Sequence, residues 1–80
     1  MRIEPHRFTD ATHLLTVPSL TSGLTVAYWI QAPDDWTDLR VRREAIDQLW
    51  PVDPVWGEFG QGWKHATANA RVFNLKETTP

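Results

Sequence analysis

Leu24-Thr25-Val26-Ala27-Tyr28-Trp29-Ile30-Gln31 is the stretch from which the fold class follows. It is β-branched and aromatic over a strand's length. Side chains alternate across a pleat, so Leu24, Val26, Tyr28 and Ile30 share one face while Thr25, Ala27, Trp29 and Gln31 share the other. Trp29 therefore falls on the more polar face and needs cover from a helix, from the C-terminal segment, or from something outside the chain. Pro33-Asp34-Asp35 breaks the strand and supplies a carboxylate that can accept the free N–H groups of a first helical turn. A helix is expected from near Asp35 to Leu49 or Trp50. It cannot pass Pro51, because proline disfavours the α conformation of the residue before it.

On that helix, at about 100° per residue, Trp36, Leu39, Val41, Ala45, Ile46, Leu49 and Trp50 cover an arc of roughly 220°, about twice the minimum stripe for packing on one core. One sheet cannot bury all of it. Thr37, Arg40, Glu44, Asp47 and Gln48 form the polar side, and Arg42 and Arg43 fall inside or at the margin of the apolar arc. Asp38 with Arg42, Arg40 with Glu44, and Arg43 with Asp47 stand at i, i+4, a spacing at which opposite charges can pair.

Outward from this centre the signals thin. Ile3 and Phe8 flank Pro5, and proline removes a ladder donor, so any strand there belongs at a sheet edge. Thr12 to Val17 reads as a second strand ending at Pro18, and residues 19–23 form a loop by composition. Past Pro51, Asp53 as N-cap and Pro54 at the first helical position suit a single helical turn. Gly57, Gly60 and Gly62 then make Gly57 to Trp63 an exposed, ring-bearing loop. Residues 64–75 fit both helical and strand spacing, and a strand over Ala70 to Leu75 is the chosen reading. The tail, residues 76–80, is expected to fray. The sum is a single α+β domain over residues 1–80: a small antiparallel sheet of two to four strands with one amphipathic helix, about 35–50, packed on it.

Composition limits the chemistry. Eighty residues without cysteine have no disulfide and no thiolate, which excludes zinc ribbons, iron–sulfur sites and cysteine nucleophiles. Ten acids against eight bases leave no basic excess of the kind that sequence-independent nucleic-acid binding uses. No apolar run approaches a membrane span and no secretory signal opens the chain, so a cytoplasmic protein with no membrane partner is expected. His6, His13 and His65 lack the i, i+4 spacing of a helical metal pair, and they read as three partly exposed rings on loops and strand ends. Ser22-Gly23 lacks the flanking pattern of a nucleophile elbow. The glycines at 57, 60 and 62 lack the strand before, the helix after and the lysine of a phosphate loop. No catalytic, metal or cofactor residue is therefore assigned, and no enzyme is expected.

What remains is aromatic. Five tryptophans, Tyr28 and three phenylalanines crowd a short chain in which six of the eight bases are arginine, and tryptophan with arginine is the pairing enriched at the energetic centres of interfaces. Trp29 and Trp50, each in a regular element beside aliphatic residues, are expected in the core. Trp36, Trp56 and Trp63 lie at element ends or in the glycine-rich loop, where burial is harder. The expectation is a small non-enzymatic interaction module, an inhibitor, adaptor or accessory protein. It would dock on a larger protein or on its own copy through Trp36, Arg40, Arg42, Arg43, Trp56, Phe59 and Trp63. The alternative is a compact nucleic-acid binder using Arg40, Arg42, Arg43, Lys64 and Arg71 with nearby rings as stacking platforms.

Overall fold

The expected strand pairs on both sides. In a computed structural model, which describes residues 1–18, 24–49 and 68–76, β1 spans Arg2–Glu4, β2 His13–Pro18, β3 Thr25–Gln31 and β4 Arg71–Asn74, with one helix, α1, at Asp38–Leu49. The four strands form one antiparallel sheet in the order β1-β3-β2-β4. β1 lies at an edge, as Pro5 requires.

Register puts apolar residues opposite one another on a single face: Leu15 against Tyr28, Val17 against Val26, and Leu15 again against Val72. Leu15, Val17, Tyr28 and Ile30 are buried there, and Val41, Ala45, Ile46 and Leu49 of α1 close over them. Removing each of the larger of these side chains from water is worth about 1.5–3 kcal/mol, which is the main source of stability in so short a chain. The alternation read from the sequence thus holds from Val26 onward. Leu24 precedes the strand and is exposed.

The helix begins later than Asp35. Trp36 N–H donates to the Pro33 carbonyl at 3.2 Å, closing a turn over Asp34 and Asp35. Thr37 then caps: its Oγ1 accepts the Arg40 N–H at 3.1 Å and its carbonyl accepts the Val41 N–H at 3.0 Å. A threonine hydroxyl at N-cap satisfies a donor that has no intrahelical partner, so the cap moves to Thr37 and Trp36 drops off the helix. The buried stripe is correspondingly narrower than the expected arc, about 140° at 100° per residue. Leu39, assigned to that arc, is exposed.

The expected strand at Ala70 to Leu75 is present as β4, paired with β2 through Leu14 opposite Phe73. Lys76 is tied down rather than frayed. Its N–H donates to Asn74 Oδ1 at 2.9 Å, and its Nζ donates to Asp34 Oδ1. The single helical turn near Asp53, the ring-bearing loop at Gly57 to Trp63 and the rest of the tail lie outside the described residues. No helix among the described residues is long and apolar enough to cross a membrane.

Candidate docking surface

A buried polar network joins the helix start to the sheet. His13, expected to be partly exposed, is 3% exposed and sits on the core face of β2. Its Nε2 lies 3.0 Å from Asp38 Oδ1, and because a carboxylate oxygen accepts, Nε2 carries the hydrogen. Its Nδ1 lies 2.7 Å from Thr12 Oγ1, which accepts the Ala32 N–H at 3.0 Å and has a single hydroxyl hydrogen within reach of both that nitrogen and the Ile30 carbonyl at 3.2 Å. Asn74 Nδ2 donates to the same Asp38 oxygen at 3.0 Å. A histidine touching an acid is what a small enzyme would need. Here both ring nitrogens are occupied within the fold and neither described cleft is lined by the ring. The arrangement fastens α1 to β2 and β4, which is the ordinary fate of a buried polar side chain.

The three arginines of α1 separate by geometry. Arg42 falls within the buried stripe, between Leu49 and Ile46 by rotation, and its Nε donates to the Ala70 carbonyl at 2.9 Å where the chain enters β4. Asp38, its expected i, i+4 partner, turns its Oδ1 to the sheet instead. Arg40 lays its guanidinium over the Trp36 ring, 4.3 Å from the centroid. Among the described residues neither Arg40 nor Arg43 has a carboxylate within ion-pair distance. Together with Thr37, Leu39 and Glu44 they line a shallow cleft of about 380 Å³ on the outer side of α1. Leu39 stands in it 73% exposed.

The electrostatics nearby are local. The Asp34 carboxyl is held below its usual range, first by the hydrogen bond from Lys76 and then by that ammonium's charge.

Trp29 is not a core residue. It points to the face of the sheet away from α1, half-buried, directly opposite Leu14 of β2. Leu14 in turn opposes Phe73 of β4, which is 45% exposed. β1 contributes Glu4, opposite Trp29, which bridges Arg2 at 3.5 Å. The segment between β1 and β2 folds over this face, and a cleft of about 820 Å³ is lined by Arg7, Phe8, Thr9, Ala11, Leu14, Trp29 and Leu75.

Of the residues named from the sequence, Arg40 and Arg43 line one cleft, Trp36 packs partly against the core with the Arg40 guanidinium over its ring, and Arg42 faces the fold's interior. Trp56, Phe59 and Trp63, like Trp50, lie outside the described residues. Leu39 was missed because helical phase alone placed it beside Ile46, and the later cap left it beyond the sheet. The open-face cleft was missed because its walls come from three separated segments. Among the described residues no cluster of His, Asp or Glu is placed to hold a metal ion. The chain matches no protein-family model, no curated protein and no solved structure.

Proposed function

We propose that the chain is a non-enzymatic interaction module that docks the N-terminal half of α1 on a larger protein presenting an acidic side chain beside an apolar one. The observation that carries this reading is Leu39, 73% exposed, in a cleft it shares with Arg43 and with Arg40, which stacks on the partly buried Trp36. A large exposed aliphatic side chain flanked by guanidinium groups and an indole has the composition of an interface centre. Charge complementarity selects an acidic partner surface, because neither guanidinium is neutralised among the described residues. Against the alternative of nucleic acid stand Asp35 and Glu44 on the same stretch, which repel a phosphate backbone.

The test is a paired capture. Wild type and a Leu39→Asp, Arg40→Glu double variant are immobilised, and retained proteins are compared at low and high salt. Both substitutions are on exposed side chains, so melting temperature should hold. The reading requires a protein retained by wild type, lost by the variant, and largely kept as salt rises. Retention of nucleic acid that falls steeply with salt would replace it with the alternative.

A further inference from the structure

We propose that the open face of the sheet carries a binding site for a small planar aromatic carboxylate, on the side of the molecule opposite the α1 surface. Its floor is Leu14 and Trp29, directly opposed in the β2–β3 register. Phe8, Ala11 and Leu75 wall it, and Arg7 and Thr9 stand among its lining residues as the polar groups. At about 820 Å³ it falls within the range of about 300–1,000 Å³ typical of small-molecule sites.

The walls are preformed. Ala11 N–H donates to the Phe8 carbonyl at 3.2 Å, Thr12 N–H to the Ile30 carbonyl at 2.7 Å, and Leu75 N–H to the Thr12 carbonyl at 2.9 Å. Arg2, bridged to Glu4, lays its guanidinium 4.0 Å from the centroid of the Phe8 ring. A ligand therefore meets a shaped surface and loses little to ordering it.

The chemistry of the ligand follows from the lining. Arg7 is exposed and among the described residues has no carboxylate within ion-pair distance. Its forked donors match a carboxylate, and the Thr9 hydroxyl adds a further donor. An indole and a leucine below favour a flat ring in offset stacking. A second copy of the chain fits less well. Four strands about 4.8 Å apart and about 18 Å long offer roughly 350 Å² per protomer, so a face-to-face pair buries roughly 700 Å², short of the about 1,200 Å² at which stable interfaces begin.

The experiment titrates the isotopically labelled protein with naphthalene-2-carboxylate and, separately, with naphthalene-2-carboxamide, following backbone and indole N–H resonances. The Trp29 indole signal is assigned by its loss in Trp29→Phe. The expected result is saturable movement of the Trp29 and Leu14 signals, half-complete at about 1 mM or below for the carboxylate. The carboxamide should bind about tenfold more weakly, and Arg7→Gln should remove that tenfold preference, the size of one charge-assisted hydrogen bond. The acid-against-amide comparison is made on the wild type and needs no variant to fold. No saturable shift at Trp29, equal affinity for acid and amide, or shifts at Leu39 and Arg40 in place of Leu14 would each overturn the site. Concentration-dependent movement of the same signals without ligand would also overturn it, in favour of self-association. The absence of a shift at Trp29, or equal affinity for acid and amide, leaves docking through α1 untouched, because that surface uses different residues.

Discussion

Replacing Asp38 with alanine removes one oxygen that serves two strands at once. Asp38 Oδ1 accepts from His13 Nε2 and from Asn74 Nδ2, each at 3.0 Å. His13 is 3% exposed, so water has little access to the donor left behind. An unmet buried donor costs about 1–3 kcal/mol, and the lost Asn74 bond adds about 1 kcal/mol. Removing an acid from the first helical turn costs a further 0.3–1 kcal/mol or about that, through the helix dipole. The Asp38 side chain is itself 44% exposed, so some rehydration occurs on its side of the network. The low end of the sum, about 2 kcal/mol, is expected. For a domain of this length that lowers Tm by about 8–16 °C. Thermal and urea unfolding of wild type, Asp38→Ala and Asp38→Asn at one pH measures it. Asp38→Asn keeps a carbonyl acceptor and should fall between the other two. A loss below about 0.5 kcal/mol for Asp38→Ala, the range of ordinary surface changes, would refute the view that this network fastens the helix.

Ile46→Ala opens a cavity beneath α1, where Ile46 is 2% exposed, and should cost about 2–4 kcal/mol in the same unfolding assay. Arg42→Ala should destabilise by about 1–3 kcal/mol by leaving the Ala70 carbonyl without its guanidinium donor, whereas Arg40→Ala should leave the unfolding midpoint nearly unchanged. Lys76→Met should raise the titration midpoint of the Asp34 carboxyl, followed by carbon-detected magnetic resonance, back to its ordinary value. The sign for stability follows: a carboxyl depressed in the folded state contributes above its unfolded pKa, and that contribution is lost as pH falls through the folded value. Acid unfolding of the variant should accordingly lose that portion of its pH dependence.

The β2–β3 pair and the end of the described helix at Leu49 were legible because each rests on local chemistry. Alternation of Val26, Tyr28 and Ile30 sorts faces whatever the neighbours are, and Pro5 marks an edge wherever the sheet runs. The helix start was not legible in the same way. Asp34, Asp35 and Thr37 are all competent caps, and the choice fell to the turn closed by Trp36 N–H on the Pro33 carbonyl, which spends the two acids on the turn. His13 was read as exposed because its burial depends on Asp38 and Asn74, which are 25 and 36 residues from their partners in this network. Nothing in the sequence near His13 announces either. The Trp29 reading failed for a related reason. Alternation placed the ring on the open face correctly, but its aliphatic neighbours suggested a core that exists only on the other side.

The later helix start and the buried His13–Asp38 contact bear on the surface that α1 presents. Because Thr37 rather than an aspartate caps the helix, Asp38 is free to point inward at the sheet, and the residues after it, Leu39 and Arg40, point outward. Asp38 fastens the first turn to β2 and β4, and Arg42 fastens the next turn to the Ala70 carbonyl. The stretch carrying Leu39, Arg40 and Arg43 is thus held at both turns by contacts on its inner side, while the Arg40–Trp36 stack limits the motion of one side chain on its outer side. A patch held this way loses little freedom when a partner covers it, which is how a small exposed surface reaches useful affinity. Loosening the inner contacts should therefore weaken partner binding even when no outward residue is changed. Asp38→Asn, folded but less firmly tied, is the variant in which that coupling is read: removing a 44%-exposed carboxylate favours an acidic partner, so a lower affinity reports the loosened inner contacts.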